Sequence, residues 1–438
     1  MRNKIADMLR GKSVLILGFG REGHSSLQFI LSNKINCKIG IADQFAQEEE
    51  KQMFSEHPEI AFHTGPDYLD AVHYYDFILK APGIPGRNLS QGIMGEISSQ
   101  TDLFLAAYHH QTIGISGTKG KSTTSSLVHH LLIQSGKKSI LTGNIGIPCF
   151  DIIPQIEPDT IIVFELSANQ LEYVHHSPHI SVLLNIFEEH LDHFGTFKAY
   201  KEAKKQLLKF CKPKDLIVIH ESLNTEINNS SHNVSVFPQK DYFPDLQTHL
   251  IGLHNVWNMQ AATMAVVGIG IKKEEVLKHL LSFKGLPHRI EYLGQFAGIE
   301  FYNDSIATIP EATVAAIKSL RKVNFLILGG FDREIHYEFL TDFLSTNPIE
   351  NILYTGKAGH RIAMQMKEKD FSMQLIEFKT LSDAFDIILK KAKNGDVCLL
   401  SPAAASYDQY KNFEHRGDVF KEMVYSLKKT KLNNLSST

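Results

Sequence analysis

The sequence predicts an α/β protein of three domains, each with a parallel sheet covered by helices. Short β-rich apolar runs alternate with amphipathic helical segments almost throughout the chain, which is typical of parallel sheets. Three runs end in turn-forming segments: GFGREG, GISGTKGKST and ILGGFDRE. Because ligands bind at the carboxyl ends of strands in such sheets, three such ends indicate three domains. The length of 438 residues agrees, since it exceeds one ordinary hydrophobic core.

The domain boundaries are predicted in the segments AAYHHQT and FKGLPHR, near residues 107 and 285. This gives domains 1–107, 108–285 and 286–438. The clearest strands are predicted at residues 13–17, 76–79, 112–116, 160–164, 181–184, 324–328 and 396–400.

The composition excludes several classes of protein. A formal charge of −3 argues against a general nucleic-acid binder, which requires a basic surface. The four cysteines are far apart and form no CxxC pair, so a zinc cluster or disulfide framework is not expected. No run approaches the roughly 20 apolar residues of a membrane span, and the first apolar run is too short for a signal peptide. We therefore expect a cytoplasmic protein without nucleic-acid or membrane partners. A monomer is also expected, although the composition does not determine the oligomeric state.

The first motif is a glycine-rich turn after the strand SVLIL. It reads Gly18-x-Gly20-x-x-Gly23, and Asp43 ends the next strand. Glycines at such a turn let a phosphate approach the backbone, and an acidic residue there binds a ribose hydroxyl. The motif predicts a Rossmann-like nucleotide unit, with a plain strand-to-helix turn as the alternative.

The second motif is the segment GTKGKST at residues 117–123, between the strand TIGIS and the helix SSLVHHLL. Backbone amides at a helix N-terminus cradle phosphates, a lysine at position 121 reaches the β- and γ-oxygens, and Ser122 binds Mg²⁺. Ile115 stands where the strict GxxxxGK[ST] pattern has its first glycine. The motif still predicts ATP binding, because a plain glycine turn would not place Lys121 and Ser122 there.

The third constellation consists of acids and a histidine after two later strands. Glu165 ends the strand TIIVF, and His190 and Asp192 lie in the segment EEHLDHFG. An acidic residue at the end of a strand beside a phosphate loop is suited to hold Mg²⁺ directly or through water. A lone histidine is more often structural, but one beside three acids favours a metal site.

Together these residues resemble the Mur ligase family, and within it the members that join glutamate to UDP-N-acetylmuramoyl-L-alanine. The motifs that carry the resemblance span nearly the whole chain in order: GTKGKST, TGNIGIP, FELSANQLE, NIFEEHLDHFG, AYKEAK, GLHNVWNMQAA, GLPHRIE, YNDSIAT, LGGFDRE and LSPAAASYDQYKNFEHRG. The resemblance implies a Rossmann-like UDP-binding domain, a P-loop-type central ATPase domain and a Rossmann-like glutamate-binding domain. It also implies ATP and Mg²⁺ as cofactors.

The resemblance assigns residues to each ligand. It places the UDP substrate at Gly18, Gly20, Arg21, Glu22, Asp43, Ala81, Pro82, Gly83, Asn144 and Ser167. It places ATP at Gly117, Thr118, Lys119, Gly120, Lys121, Ser122, Thr123, Asn255, Asn258, Arg289 and Asp304. It places Mg²⁺ at Ser122, Glu165, His190 and Lys204, with Lys121 as a further catalytic residue. It places the incoming glutamate at Thr308, Arg333, Ser406, Tyr407 and Phe413.

By the same resemblance, Lys204 carries a carbamate. A free ammonium beside Mg²⁺ would be repelled, whereas a carbamate turns the same side chain into an anionic oxygen ligand. Without the resemblance, Lys204 would be interpreted as an ordinary exposed lysine on the helix FKAYKEAKKQLL. The neighbouring Lys205 is the alternative carbamate position, because the motif could align one residue later.

The implied reaction has two steps. The substrate carboxylate attacks the γ-phosphate of ATP to give an acyl phosphate, and the amine of glutamate then displaces phosphate. Lys119 replaces the usual asparagine of the loop, and Arg333 stands where a lysine is more usual. Ile306 replaces the lysine of a DSKAT motif and cannot hold a carboxylate, so L-glutamate remains an alternative to D-glutamate.

Three other functions fit the sequence less well. A folylpolyglutamate synthase does not normally begin with a GxGxxG-bearing UDP domain. An NAD-dependent oxidoreductase using residues 18–23 would leave the phosphate loop, Glu165 and His190 unexplained. A non-catalytic nucleotide-binding regulator is disfavoured because every implied catalytic position is filled.

Overall fold

The computed structural model describes residues 2–44, 57–89, 91–226, 233–243, 250, 252–320, 322–368 and 373–435. The chain forms two compact units. The first comprises Met1–Leu246 with Leu253–Ser282, and the second Gln247–Gly252 with Phe283–Thr438. The first unit holds two parallel sheets and the second holds one mixed sheet.

The first sheet has the strand order β3-β2-β1-β4-β5, and every neighbouring pair is parallel. Its strands are β1 (Ser13–Leu17), β2 (Lys38–Ala42), β3 (Ala61–His63), β4 (Phe77–Lys80) and β5 (Glu96–Ser98). The accompanying helices are α1 (Arg2–Leu9), α2 (Arg21–Ser32) and α3 (Gln100–Tyr108). The apolar run of β1 forms the central strand, because a strand with helices on both faces buries both sets of side chains.

The second sheet is also parallel, in the order β11-β10-β9-β6-β8-β7. Its strands are β6 (Thr112–Ser116), β7 (Ser139–Gly143), β8 (Ile161–Glu165), β9 (Ile180–Leu183), β10 (Leu216–His220) and β11 (Asn233–Phe237). Its helices are α4 (Lys121–Gln134), α5 (Ala168–Leu171), α6 (Leu191–Phe194), α7 (Phe197–Lys209), α8 (Leu253–Gly268) and α9 (Lys273–Leu280).

The third sheet has the order β12-β13-β17-β14-β15-β16. Its strands are β12 (Glu291–Phe296), β13 (Ile299–Asn303), β14 (Phe325–Gly329), β15 (Asn351–Thr355), β16 (Gln374–Glu377) and β17 (Val397–Leu400). Its helices are α10 (Pro310–Ser319), α11 (Glu338–Thr346), α12 (Gly356–Lys367), α13 (Leu381–Lys391) and α14 (Phe413–Leu435).

One edge of the third sheet departs from the expected parallel arrangement. Strands β12 and β13 form an antiparallel hairpin. The connecting residues Ala297 and Gly298 have φ angles of +51° and +84°. Two successive positive φ values match the twist that a two-residue hairpin turn requires, so local turn geometry explains the departure.

The helix α7 shows how the second sheet positions a polar side chain. Thr196 caps the helix by accepting a hydrogen bond from the Ala199 amide at 3.2 Å. The buried positions are Tyr200, Ala203, Lys204 and Leu207, which lie on one face at helical spacing. A lysine is therefore included in the face that packs inward.

The α/β class with parallel sheets is confirmed. The predicted strands at 13–17 and 112–116 match β1 and β6, and the other predicted strands shift by about one residue. In the part of the chain that the structure describes, no helix combines the length and apolarity needed to cross a bilayer.

Candidate active site

Two glycines shape the loop between β6 and α4. Gly120 has a φ of +88°, a conformation that residues with a Cβ rarely adopt. A Cβ at Gly120 would lie 2.4 Å from Oδ1 of Asn258, and one at Gly117 would lie 2.9 Å from Cβ of Leu184. Only glycine fits both positions, and the loop leads directly into the N-terminus of α4. This is the geometry that binds phosphate groups through backbone amides.

An asparagine after β9 clamps the same loop. Asn185 accepts hydrogen bonds from the Thr118 amide at 2.9 Å and the Lys119 amide at 2.8 Å. Its own side-chain amide donates to the Lys119 carbonyl at 3.0 Å. Asn185 begins the NIFEEHLDHFG motif, but the sequence alone indicated no role for it. These three bonds fix the loop before any ligand binds.

Two lysine amines converge on one carbonyl oxygen of the loop. Lys121 Nζ donates to the Gly117 carbonyl at 2.9 Å and to the Thr118 carbonyl at 3.0 Å. Lys204 Nζ donates to the same Gly117 carbonyl at 2.8 Å. The helix α7 therefore positions Lys204 next to the phosphate loop, although Lys204 and Gly117 are 87 residues apart in the sequence.

Burial and the neighbouring Lys121 charge lower the pKa of Lys204 to about 7. The residue is only 1% exposed, so its ammonium form loses most of its hydration. A substantial fraction of the amine is therefore uncharged near neutral pH, and an uncharged amine is the form that reacts with CO₂. Lys205, by contrast, pairs with Glu202 at 3.0 Å on a more exposed face of α7.

Glu165 lies at the end of β8 with a buried carboxylate. Its Oε1 accepts a hydrogen bond from the Asn144 side-chain amide at 2.9 Å. Its Oε2 is buried and has no hydrogen-bond partner among the described residues. An unpaired buried carboxylate oxygen is costly unless a cation binds it. Glu165 therefore suits a divalent cation that prefers oxygen ligands.

His190 stands at the start of α6 with a φ of +56°. The residue is exposed, and its ring centroid lies 5.9 Å from that of Tyr200. The Tyr200 hydroxyl is 3.0 Å from Thr118 Oγ1, so the histidine segment and the phosphate loop share a neighbour. Nearby, Glu189 forms an ion pair with Lys119.

The predicted adenine-side residues lie on α8. Asn258 is buried, and its side-chain amide donates to Asn255 Oδ1 at 3.1 Å. The close approach of Asn258 to Gly120 places this helix directly behind the phosphate loop. The structure thus brings together Gly117–Thr123, Asn258 and Lys204 around one loop.

The glycine-rich turn after β1 is explained only partly by packing. A Cβ at Gly18 would lie 2.9 Å from Ala81 Cβ, and one at Gly23 would lie 2.4 Å from the Gly18 carbonyl. A Cβ at Gly20 would meet nothing within 4 Å. Asp43 accepts a hydrogen bond from the Phe19 amide at 2.6 Å, so this acid stabilises the turn. Packing therefore explains Gly18 and Gly23, and it leaves open space at Gly20.

Polar contacts join this turn to the segment after β8. Glu22 accepts a hydrogen bond from the Gln170 side-chain amide at 2.8 Å, and burial raises the pKa of the Glu22 carboxyl. Gln170 and Ser167 form the capping box of α5. Lys80, which the sequence analysis did not single out, is buried and pairs with Glu172 at 3.0 Å. The predicted UDP-side residues Glu22 and Ser167 are thereby linked through one glutamine.

Four other predicted UDP-side positions are at least partly open to solvent. The exposed Arg21 donates to the Gly146 carbonyl at 3.1 Å. Ala81 and Pro82 are half-buried after β4, and Gly83 is exposed.

In the second compact unit, Asp304 follows β13 and is buried. Burial raises the pKa of its carboxyl to about 7, while hydrogen bonds from Ser401 and Ile290 oppose the rise. Ser401 Oγ donates to Oδ2 at 2.8 Å, and the Ile290 amide donates to Oδ1 at 3.1 Å. Ile290 has a φ of +46°, an unusual conformation for a β-branched residue. Asp304 thus holds the strained backbone next to Arg289.

The predicted glutamate residues Thr308 and Arg333 are in direct contact. Arg333 Nη2 donates to the Thr308 carbonyl at 2.7 Å. Arg333 is exposed, whereas the preceding Asp332 is bound by Arg361 at 2.7 Å. The guanidinium of Arg333 therefore keeps donors for an acidic ligand.

A buried arginine, Arg416, organises the remaining loops of this unit. Its guanidinium donates to the Ser305 carbonyl at 2.9 Å, the Ala404 carbonyl at 3.0 Å and the Ala405 carbonyl at 3.3 Å. Burial lowers the pKa of Arg416 to about 10. Arg416 belongs to the motif NFEHRG, but the sequence alone indicated no role for it.

The other predicted glutamate residues adjoin these loops. Ser406 is buried, Tyr407 is 68% exposed, and the Phe413 carbonyl accepts from Ser305 Oγ at 2.8 Å. The ring centroids of Tyr407 and the exposed Phe331 lie 6.4 Å apart.

Comparisons with known proteins agree with this geometry. Residues 115–236 match the family model described as the Mur ligase middle domain. Residues 288–404 match the model described as Mur ligase, glutamate ligase domain. The first match contains the phosphate loop, Glu165 and Lys204, and the second contains Asp304, Thr308 and Arg333.

Several curated relatives are similar over nearly the whole chain. The UDP-N-acetylmuramoylalanine–D-glutamate ligase of Koribacter versatilis is 31% identical, over 95% of this chain and 98% of the relative. The protein of the same name from Clostridium botulinum strain Hall is 30% identical, over 97% of this chain and 99% of the relative.

Solved structures show the same fold at low identity. Crystal structure II of MurF from Acinetobacter baumannii superposes with a TM-score of 0.57 at 16% identity, covering 95% of this chain and 91% of that one. The Thermotoga maritima MurF ligase in complex with ADP gives 0.54 at 16% identity, covering 96% and 97%.

Proposed function

This chain belongs to the Mur ligase family of ATP-dependent amide ligases, and we propose that it joins D-glutamate to UDP-N-acetylmuramoyl-L-alanine. The reaction belongs to the synthesis of peptidoglycan precursors. Full-length relatives that carry the name of this activity support the proposal. We place the reaction in the cytoplasm and expect a monomer.

The observation that carries the proposal is the position of Lys204. A buried lysine whose amine lies 2.8 Å from the phosphate-loop carbonyl of Gly117 is unusual, because its charge is poorly hydrated and close to Lys121. Carbamylation removes this repulsion between Lys204 and Lys121, because it replaces the ammonium of Lys204 with an anion that the Lys121 cation attracts. We therefore assign the carbamate to Lys204 rather than Lys205.

We assign Mg²⁺ to Ser122, Glu165, His190 and the carbamate of Lys204. The unpaired Oε2 of Glu165 supports the assignment, because a buried carboxylate oxygen without a hydrogen-bond donor fits a hard divalent cation. When bound, Mg²⁺ supplies charge neutralisation for the phosphoryl oxygens of ATP.

The chain's own residues then act on ATP and the substrate carboxylate. Amides of residues 117–123 and Lys121 hold the phosphates in line with the attacking carboxylate oxygen. The new oxygen–phosphorus bond forms as the β–γ bridging bond breaks, giving an acyl phosphate and ADP. The glutamate amine attacks the acyl carbon, loses a proton, and phosphate leaves. Asn255, Asn258, Arg289 and Asp304 are assigned to ATP.

The incoming glutamate is assigned to Thr308, Arg333, Ser406, Tyr407 and Phe413. Arg333 is suited to grip one carboxylate with two parallel hydrogen bonds. Ile306 supplies no charge, so neutral donors must hold the other carboxylate. This substitution is the one feature that keeps L-glutamate as the second candidate substrate.

We assign the UDP substrate to Gly18, Gly20, Arg21, Glu22, Asp43, Ala81, Pro82, Gly83, Asn144 and Ser167. The opening at Gly20 supports close approach of a phosphate to the backbone. We also propose domains 1–107, 108–285 and 286–438 for the UDP substrate, ATP and glutamate, respectively.

Phosphate release from ATP tests the function. The full chain is incubated with UDP-N-acetylmuramoyl-L-alanine and either D- or L-glutamate, with bicarbonate and Mg²⁺ present. We expect release that requires the UDP substrate and is much faster with D-glutamate. Release only with L-glutamate would overturn the enantiomer assignment, and no release with either would overturn the function.

A further inference from the structure

Three histidines and one aspartate gather at the amino ends of three neighbouring strands of the second sheet. His109 and His110 form a 3₁₀ turn that leads into β6. His179 directly precedes β9, and Asp215 directly precedes β10. Because β6, β9 and β10 lie side by side and parallel, their entry segments meet at one edge. This group is called the His109 cluster below.

The distances within the cluster are short. One ring nitrogen from each histidine lies within 4.8 Å of the corresponding nitrogens of the other two. Asp215 Oδ1 lies 2.9 Å from His179 Nδ1 and 3.1 Å from His109 Nε2. The residues therefore present nitrogen and oxygen donors toward a common region.

The hydrogen bonding of His109 shows why this region favours a cation. His109 Nδ1 lies 2.6 Å from the Ser177 carbonyl, which can only accept, so Nδ1 carries the proton. In the neutral ring, a proton on Nδ1 leaves Nε2 with a lone pair. That lone pair faces the Asp215 carboxylate, and Nε2 is buried without a hydrogen-bond donor among the described residues. Two facing lone pairs are stabilised when a metal ion is shared between them.

The same bond to Ser177 is the support that metal-binding histidines usually have. A ligating ring typically donates its second nitrogen to a backbone carbonyl or carboxylate, which fixes the tautomer and the ring orientation. His179 has the equivalent support through Nδ1 and Asp215. Two of the three rings are therefore already oriented as ligands.

The backbone around the cluster is fixed, while two of its rings can still move. The His179 amide donates to the His109 carbonyl at 3.1 Å, and the Leu216 amide donates to the His179 carbonyl at 2.9 Å. His110 is exposed and His179 is partly exposed. Small rotations of these rings can bring the nitrogens to the spacing of a tetrahedral site, with Zn–N distances of about 2.0–2.1 Å.

We propose that the His109 cluster is a binding site for a divalent transition metal ion of the Zn²⁺ class. Imidazole ligands favour Zn²⁺, Cu²⁺ and Ni²⁺, whereas Mg²⁺ prefers oxygen ligands. The His109 cluster lies at the amino ends of the strands, whereas the phosphate loop and Glu165 lie at their carboxyl ends. A strand of five residues at about 3.3 Å each separates the two ends by roughly 16 Å. The metal therefore binds apart from the reaction centre and joins the segment after α3 to the entries of β9 and β10.

Calorimetric titration of the metal-free, untagged full chain with Zn²⁺ tests the site, with excess Mg²⁺ present. We expect wild-type protein to bind one Zn²⁺ more than the His110→Ala/His179→Ala variant, or the same ion at least about 10-fold more tightly. Zn²⁺ should also raise the melting temperature of the wild type and not that of the variant. Co²⁺ should give the visible absorption of a tetrahedral site only in the wild type.

The matched control is His336→Ala/His360→Ala, which removes two exposed histidines from the other compact unit. It should bind Zn²⁺ like the wild type. His110→Ala alone alters one exposed side chain and covers the case in which the double variant does not fold. Equal Zn²⁺ stoichiometry and affinity in the wild type and a folded cluster variant would overturn the proposal, as would an equal loss in the control.

Discussion

The proposed phosphate site of the first compact unit and the proposed glutamate site of the second differ in the burial of their charged side chains. Around the phosphate loop, Lys204 and Glu165 are each 1% exposed. In the second unit, Arg333 is exposed, and it is the buried Arg416 that holds the surrounding loops. Charged side chains are therefore buried at the proposed phosphate site, and the arginine proposed to bind glutamate is exposed.

The difference has a physical reason. Burying a charge is costly and shifts its pKa, so a buried group gains unusual reactivity only with specific neighbours. Lys204 has such neighbours in Lys121 and the Gly117 carbonyl. An exposed arginine remains hydrated, so changing its ligand costs little for folding. We therefore expect large effects on turnover from the first region and effects on substrate selection from the second.

The largest effect is expected for Lys121→Ala. Loss of the cation at the phosphates should lower ATP turnover by about 10³-fold, because its charge stabilises the transferring phosphoryl group. Binding of the UDP substrate, measured by calorimetry, should remain nearly unchanged. Loss of UDP-substrate binding in a folded variant would contradict the separation of the two ligand sites.

Lys204→Ala should lower turnover by about 10²- to 10³-fold, since the variant has no carbamate. Acetate or formate in the assay should restore part of the activity by replacing the missing anionic ligand. The control is Lys205→Ala, which should stay within about twofold of wild type because this lysine contacts Glu202 instead of the loop. The reverse pattern would place the carbamate on Lys205.

A smaller and more selective effect is expected for Arg333→Ala. Loss of a charge-assisted contact should raise the KM for glutamate by about 10- to 100-fold. The KM for ATP should change by less than about twofold, because Arg333 is proposed to bind a carboxylate of glutamate and not ATP. Steady-state kinetics with each substrate varied in turn distinguish the two. An equal rise for ATP would place Arg333 at the phosphates.

The smallest effect concerns stability and pH. The pKa of Lys204 is lowered from 10.5 to about 7 in the folded chain. Between these values the unfolded chain binds a proton that the folded chain does not, so the free energy of unfolding rises with pH. Below about pH 7 both forms are protonated, and the full cost of the buried ammonium is present.

Lys204→Met should therefore unfold at a higher temperature than wild type at pH 7, by an amount on the order of a few degrees. The gap should shrink as the pH approaches 10. Thermal unfolding in CO₂-free buffer measures it, and Lys205→Met is the control with no expected pH-dependent gap. A gap that is constant with pH would show that the Lys204 amine is not the cause.

The local sequence determined much of the fold and the phosphate-binding loop. Alternating apolar runs and helical segments predict the parallel sheets, because each strand–loop–helix unit is encoded in contiguous residues. The loop GTKGKST is likewise local, and the structure explains Gly117 and Gly120 by close approaches that exclude a Cβ. The hairpin of β12 and β13 was missed, although Ala297–Gly298 is also a local signal.

Contacts between distant segments were decided by the tertiary structure. Arg416 and Ser305 are more than 100 positions apart in the sequence. The role of Arg416 depends on the loops that follow two different strands, at Ser305 and Ala404. The choice between Lys204 and Lys205 depends on which face of α7 packs inward. The two side chains point about 100° apart around the helix, and the sequence alone does not show which of them faces the core. Asn185 and Lys80 were overlooked for the same reason, since each acts through a partner remote in sequence.

The His109 cluster most clearly separates what the sequence determined from what the tertiary structure decided. The sequence determined that histidines stand before predicted strands, at positions 109, 110 and 179. Only the order of the sheet, with β10, β9 and β6 adjacent, brings these histidines and Asp215 to one edge. Strand order is set by the packing of whole helices and strands rather than by the residues of one segment. The sequence therefore specified the chemical type of each side chain, whereas the assembled sheet determined which side chains lie next to one another.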